Sequence, residues 1–309
     1  MLRREVLKEI DARLDAMHGA FIEQQLQSVE TAVYEVKYPE LKARQFFPLK
    51  TDVHEGAESF AYRISDYFGE ADFISHLGDD LPMVGYRTEK KVGLIDGIAN
   101  AFGYSTHELR SAAMAGVGLD AELAKAAMRV HERKVDQVAA FGSSTHGFEG
   151  GLRHPDVEVL SATADWDVAT SAQILADLHR MANKIVEDSK GVWVPNTIVL
   201  PITKYNLINS KLVDSSGDTG TTILAAFLKT NAFIKEVDHW HKMSTASESG
   251  GERALCYLKS PEVVQLVIPM EPRMHEPEKR GLKYVRPIES RFGGVIVRQP
   301  LAMRYMDGI

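Results

Sequence analysis

Asp238-His239-Trp240-His241 places two imidazoles two residues apart. On a strand, residues i and i+2 project to the same face, so His239 and His241 could share a metal ion. A stable zinc site takes three or four protein ligands, and no Cys or His is spaced to complete this one. Two polar side chains on an edge strand are the plainer reading. Gly142-Ser143-Ser144-Thr145-His146-Gly147 sets hydroxyls beside an imidazole, as a nucleophile and its base would require. It departs from G-x-S-x-G because His146 stands where the second glycine belongs, and a loop after a helix accounts for it. Gly116-Val117-Gly118-Leu119-Asp120-Ala121 fits a permissive dinucleotide fingerprint, but that chemistry needs a preceding strand. Leu109 to Ala115 are helix formers, so a helix break is expected instead. The pairs Asp79-Asp80 and Asp165/Asp167 could share a proton or hold a metal, yet both flank turns or helix starts, where Asp caps free amides. Cys256, the only cysteine, excludes an intrachain disulfide and reads as packing in a buried strand. With no P-loop, H-E-x-x-H or C-x-x-C, the residues point to no enzyme, no metal and no cofactor.

The elements that must position these residues have clearer signatures. Val6, Ile10, Leu14, Met17 and Phe21 form one apolar stripe on an N-terminal helix. Phe46 to Leu49 and Phe60 to Ile64 read as two strands joined by the polar run Lys50 to Glu58, a hairpin. Turns at Phe68 to Asp72 and Asp79 to Pro82 precede an extended piece, Met83 to Tyr86. Ser105-Thr106-His107-Glu108 is a capping box that starts a helix. A longer helix runs from about Asp120 to Phe141, with Leu123, Ala127, Val130, Val138 and Phe141 on or near one face and Gly142 as its stop. Helix over Val168 to Glu187, strand at Ile198 to Leu200, helix near Ile223 to Leu228 and strand near Ile234 to Val237 make an α/β layer. Val263 to Ile268, Lys283 to Val285 and Gly293 to Val297 are late strands between long loops.

The 309 residues, 44% hydrophobic and 26% charged, describe a globular chain of about two domains. Asp and Glu outnumber Lys and Arg by 43 to 36, a net charge of −7. Sequence-specific DNA binding is therefore not expected, since it depends on cations replacing condensed counterions. No signal peptide is evident, and no apolar run approaches the roughly 18 residues of a membrane span. The expectation is a soluble protein made in a reducing cytoplasm.

The order of these pieces resembles the HK97-type major capsid fold of tailed bacteriophages, and most closely the phage major-capsid family once described as a domain of unknown function. Matching stretches are Tyr67-Phe68-Gly69-Glu70-Ala71, Asp79-Asp80-Leu81-Pro82, Tyr104-Ser105 with Glu108-Leu109, and Leu152 with His154-Pro155-Asp156-Val157. Val199-Leu200-Pro201 and the ending Arg291-Phe292-Gly293-Gly294-Val295-Ile296-Val297-Arg298-Gln299-Pro300 complete the set. The resemblance implies an α+β fold with an N-arm (1–43), an E-loop hairpin (44–76) and a P-domain (77–159) whose long helix spans 105–141. An A-domain (160–250) and terminal strands (251–309) returning to the P-domain follow.

The same resemblance implies that the chain self-assembles into pentamers and hexamers of an icosahedral shell enclosing double-stranded DNA. Its home would be the virion, after assembly in the host cytoplasm. Partners would be its own copies, portal and scaffold or decoration proteins, and DNA held without sequence preference; no membrane is involved. The self-assembly interface is expected on the hairpin at Phe47, Lys50, Asp52, Glu55, Glu58 and Arg63. The segment before the hairpin is too short to be a scaffolding region that is cut away, so no trimming is expected. No residues of a covalent Lys–Asn crosslink can be identified. The alternatives are an encapsulin-like bacterial nanocompartment and a metal-dependent enzyme using His239 and His241.

Overall fold

The computed structural model describes residues 38–73, 81–115, 118–213 and 220–309. The expected N-terminal helix and almost all of the N-arm lie outside the described residues, as do Asp79, Asp80, Gly116 and Val117. The chain divides between Glu40 and Leu41, and the elements below belong to the second unit.

Its centre is a mixed five-stranded sheet in the order Val159–Ser161, Met303–Asp307, Arg253–Tyr257, Thr197–Leu200, Glu236–His239. Both faces are covered, so its middle strands are continuously apolar rather than alternating. Ala254, Cys256, Ile198, Leu200 and Met306 point to one side, beneath Ile174, Leu178, Met181 and Ile185 of the helix Ser171–Asp188. Leu255, Tyr257, Val199, Met303 and Tyr305 point to the other, against Phe46, Phe47, Trp240 and the end of the long helix. Burial pushes the Cys256 thiol far above its ordinary value, so it is inert packing, as its apolar neighbours suggest.

The helix Ser171–Asp188 begins at a capping box: Thr170 Oγ1 accepts from the Gln173 N–H, and the Gln173 side chain accepts from the Thr170 N–H. The Ser105/Glu108 box forms as expected, at 3.1 Å and 2.7 Å. The helical span 105–141 is two helices, Thr106–Ala115 and Leu119–Phe141. The second ends at Gly142, φ 75°, whose N–H donates to the Val138 carbonyl. Its buried face holds Val138 and Ala127 but also His131 and Asp136, whereas Val130 is exposed. Each of the polar pair is anchored by another element, although Asp136 Oδ2 has no partner among the described residues. His131 bonds Asn100 Oδ1 at 3.1 Å and Ser290 Oγ at 2.6 Å, and Asp136 accepts from the Ala43 N–H at 3.0 Å. The long helix thereby locks onto the strand Asp96–Ser105, which pairs over its whole length with Lys283–Phe292.

The strand pairing differs from the expected hairpin. Ala43–Phe46 is a short helix, and Leu49–Lys50 pairs in parallel with Val264–Val267, not with Phe60 to Ile64. The true partner of Ser59–Phe68 is Gly85–Leu94, so the ribbon extends beyond residue 76 to Leu94. Phe46 and Phe47 are apolar enough to be claimed by the core, which removes them from any exposed ribbon. The strand expected near Ile234 to Val237 runs from Glu236 to His239.

Candidate assembly surface

The Ser59–Phe68/Gly85–Leu94 ribbon pairs ten residues with ten, and none of them is buried. At about 3.4 Å per residue its strands are roughly 30 Å long. Phe60 stands opposite Gly93 and Phe68 opposite Gly85. Each ring lies across its glycine: an added Cβ would come within 2.2 Å of the Phe60 ring and 2.6 Å of the Phe68 ring. Cross-strand cover of this kind replaces contacts that glycine cannot make.

The ladder continues one rung past the strands, and side chains at the root then tie the ribbon to the body. Glu58 O accepts from the Ile95 N–H at 2.9 Å, Lys91 Nζ lies 3.8 Å from Asp156 Oδ2, and the Arg298 guanidinium sits 5.7 Å from the Tyr62 ring centre. Beyond them the ribbon is uncovered. Tyr67 is 78% exposed, Val84 75% and Met83 89%, with Phe68, Phe73, Leu81 and Tyr86 also exposed. An isolated two-stranded ribbon is at best marginal in water, so this shape calls for outside support.

The chain enters the ribbon through a clamp. Lys42 Nζ meets Asp238 at 3.0 Å, Arg44 bridges Glu132 at 3.0 Å and Glu271 at 2.8 Å, and the Tyr257 hydroxyl donates to Phe46 O at 2.6 Å. Burial pushes the Asp136 carboxyl up, against the Ala43 N–H that pulls it down.

The six expected interface residues scatter. Phe47 is fully buried, its ring 6.1 Å from Trp240 and 6.4 Å from Tyr257, and so cannot meet a neighbour. Lys50 bonds Asp52 at 2.8 Å, and Glu55 pairs with Arg273; these three lie in the polar run before the ribbon. Glu58 is at the root, and only Arg63 lies on the ribbon proper, exposed and opposite Lys90. The exposed apolar side chains Tyr67, Met83, Val84 and Tyr86, toward the far end of the ribbon, are not among the expected residues. The β-prone residues Tyr86, Thr88, Val92 and Leu94 at every second or fourth position were the available signal.

The other chemical candidates take structural roles. His239 closes its strand with its ring 5.1 Å from Tyr205, while His241 lies in a following 3-10 turn, so the two do not share a strand face. Among the described residues no group of three or more His, Cys, Asp or Glu is placed to hold a metal. Asp165 and Asp167 flank the buried Lys204 ammonium at 3.4 Å and 2.9 Å. His146 Nδ1 meets Asp96 Oδ2 at 2.7 Å in a tight turn, Gly142–Ser143 pairing back on Phe148–Glu149; among the described residues no serine bonds its other nitrogen.

The family model described as "Major capsid protein" matches residues 69–309, and the chain belongs to that family. The fold is similar to the capsid of Myoviridae phage XM1, with TM-score 0.82, 17% identity, and coverage of 93% of this chain and 98% of that one. A Mycobacterium phage Bobi chain matches with TM-score 0.63 and 14% identity, covering 93% and 98%. A virus-like particle from Pyrococcus furiosus matches with TM-score 0.55 and 15% identity, covering 85% and 91%. No curated protein matches. The chain is thus an HK97-like major capsid protein of α+β fold, a structural shell subunit and a virion component.

Proposed function

We propose that copies of this chain associate head to tail around rotation axes into pentamers and hexamers, which tile an icosahedral shell around double-stranded DNA. The carrying observation is the ribbon of Ser59–Phe68 and Gly85–Leu94, none of whose twenty residues is fully covered by its own chain. Head-to-tail contacts close into rings when the rotation closes. Several modest interfaces per copy then stabilise one another through effective concentration. Lys50, Asp52, Glu55, Glu58 and Arg63 are the charged part of that interface, joined by the apolar tip and without Phe47. In this reading the E-loop spans 44–94, between an N-arm at 1–43 and a P-domain built around the long helix. The A-domain is 160–250, and the strands of 251–309 complete the P-domain.

DNA is held without sequence preference, in keeping with the net charge of −7. Portal and scaffold or decoration proteins complete a particle assembled in the host cytoplasm, and the chain itself carries out no catalysis. Expression of the full chain followed by sedimentation and electron microscopy tests this: closed particles are expected, and a stable, compact monomer overturns it. Particles enclosing protein cargo and no DNA would favour the nanocompartment reading.

A further inference from the structure

Strand alternation divides the ribbon into two faces of different chemistry. The odd-numbered residues of Ser59–Phe68 share one face with the even-numbered residues of Gly85–Leu94, and every one of them is exposed. No Asp or Glu stands on that face, although the chain as a whole is acidic. Its two charges, Arg63 and Lys90, are direct cross-strand partners. Toward the tip Tyr67 faces Tyr86, and toward the root lie Val92 and Leu94. The opposite face carries both signs, Asp66 and Glu89 beside Arg87 and Lys91, and its half-buried Phe60 and Tyr62 turn to their own chain.

Two like charges directly opposite on a ribbon destabilise it. Their nearest neighbours on the face do nothing to offset this: Ser65 and Thr88 bond one another at 3.1 Å, and Ala61 faces Val92. Taken with the shell reading, on which this inference rests, we propose that this acid-free face seats on a carboxylate-bearing surface of a second copy of the chain. Arg63 and Lys90 meet the carboxylates, and the tyrosine pair and the two aliphatic residues close around them and exclude water. Interface centres are poor in charge apart from Arg and rich in Tyr, so Arg63 beside the tyrosine pair has the composition of such a centre. The copy can supply the anions because its acids exceed its bases by 43 to 36. The two-faced chemistry also sets handedness: the mixed face lies toward the parent body and the cationic face toward the neighbour.

The test compares full-length wild type, R63E/K90E and R63Q/K90Q by sedimentation velocity, with nucleic acid content measured on any particles. Reversal should lower particle yield about tenfold or more, because it sets like charges against the neighbour's carboxylates. The far-UV circular dichroism of the unassembled chain should be unchanged. R63Q/K90Q should assemble less well than wild type and with a flatter salt dependence. Wild-type particle yield from R63E/K90E overturns the inference while leaving the shell reading intact. Normal particles of R63Q/K90Q that are poorer in DNA also overturn it, because the face would then be meeting phosphate. Should the reversed chain misfold, the yield and salt dependence of R63Q/K90Q decide. Failure of wild type to assemble removes the shell reading and this inference with it.

Discussion

Arg253–Tyr257 in the central sheet and Gly85–Leu94 in the ribbon are both strands with well-formed antiparallel pairing, yet every residue of the first is buried and none of the second is. Backbone pairing is therefore not what separates a stable strand from a dependent one. A hydrogen bond within the chain replaces one to water, and its net value is small. Apolar area removed from water is what the central strand has and the ribbon lacks. The ribbon makes up part of the difference with Phe60 over Gly93 and Phe68 over Gly85, and leaves the rest to a neighbour.

The largest expected effect falls on the body. Phe47→Ala should cost about 3–5 kcal/mol in a urea unfolding curve, since the ring is wholly enclosed by core. A cost below about 1 kcal/mol would return Phe47 to the interface and blur the contrast between the two regions. Next is Gly151→Ala, whose Cβ would lie 2.3 Å from the Phe47 ring. Overpacking of that kind costs about 1–3 kcal/mol, read as a fall in Tm.

The third prediction concerns acid. Burial holds the His131 imidazole below its ordinary value of 6.5, and burial does the same for His154 against the opposing Glu149 carboxylate. For a group whose pKa is lowered in the fold, the stabilising contribution is present above 6.5 and lost as pH falls through the lowered value. The body's Tm should thus drop on acidification below that point, and His131→Gln should flatten the slope. An unchanged slope in His131→Gln would show that this imidazole does not drive it. The smallest effect is on the ribbon: Tyr67→Ala with Tyr86→Ala should move monomer stability by less than about 0.5 kcal/mol while lowering particle yield. In hydrogen exchange, amides of the ribbon should be labile in the unassembled chain and protected in particles; protection before assembly would contradict the exposure seen here.

Helix starts were legible residue by residue. The Ser105/Glu108 box and the Gly142 stop form where expected, because caps depend on groups within one turn of each other. Strand existence was legible at Ile198 to Leu200 and at Val263 to Ile268, but partners were not. Alternation states which face a residue takes and is silent on which strand lies alongside. That is why the pattern sets Phe46 to Leu49 against Phe60 to Ile64, its neighbour in sequence, whereas the actual partner is Gly85–Leu94. His131 was unreadable for a related reason: its burial depends on Asn100 and Ser290, brought together by the sheet.

From the sequence by itself came the caps and the buried cysteine, since local hydrogen bonding and apolar patterning carry those, while the α+β class and the family came through resemblance to known stretches. The tertiary structure alone decided that Phe47 is core, that His239 and His241 part company, and that the ribbon reaches Leu94 with one cationic face bare. Each of these turns on which distant segments compete for the same apolar cover, and that competition is settled only once the whole chain has packed.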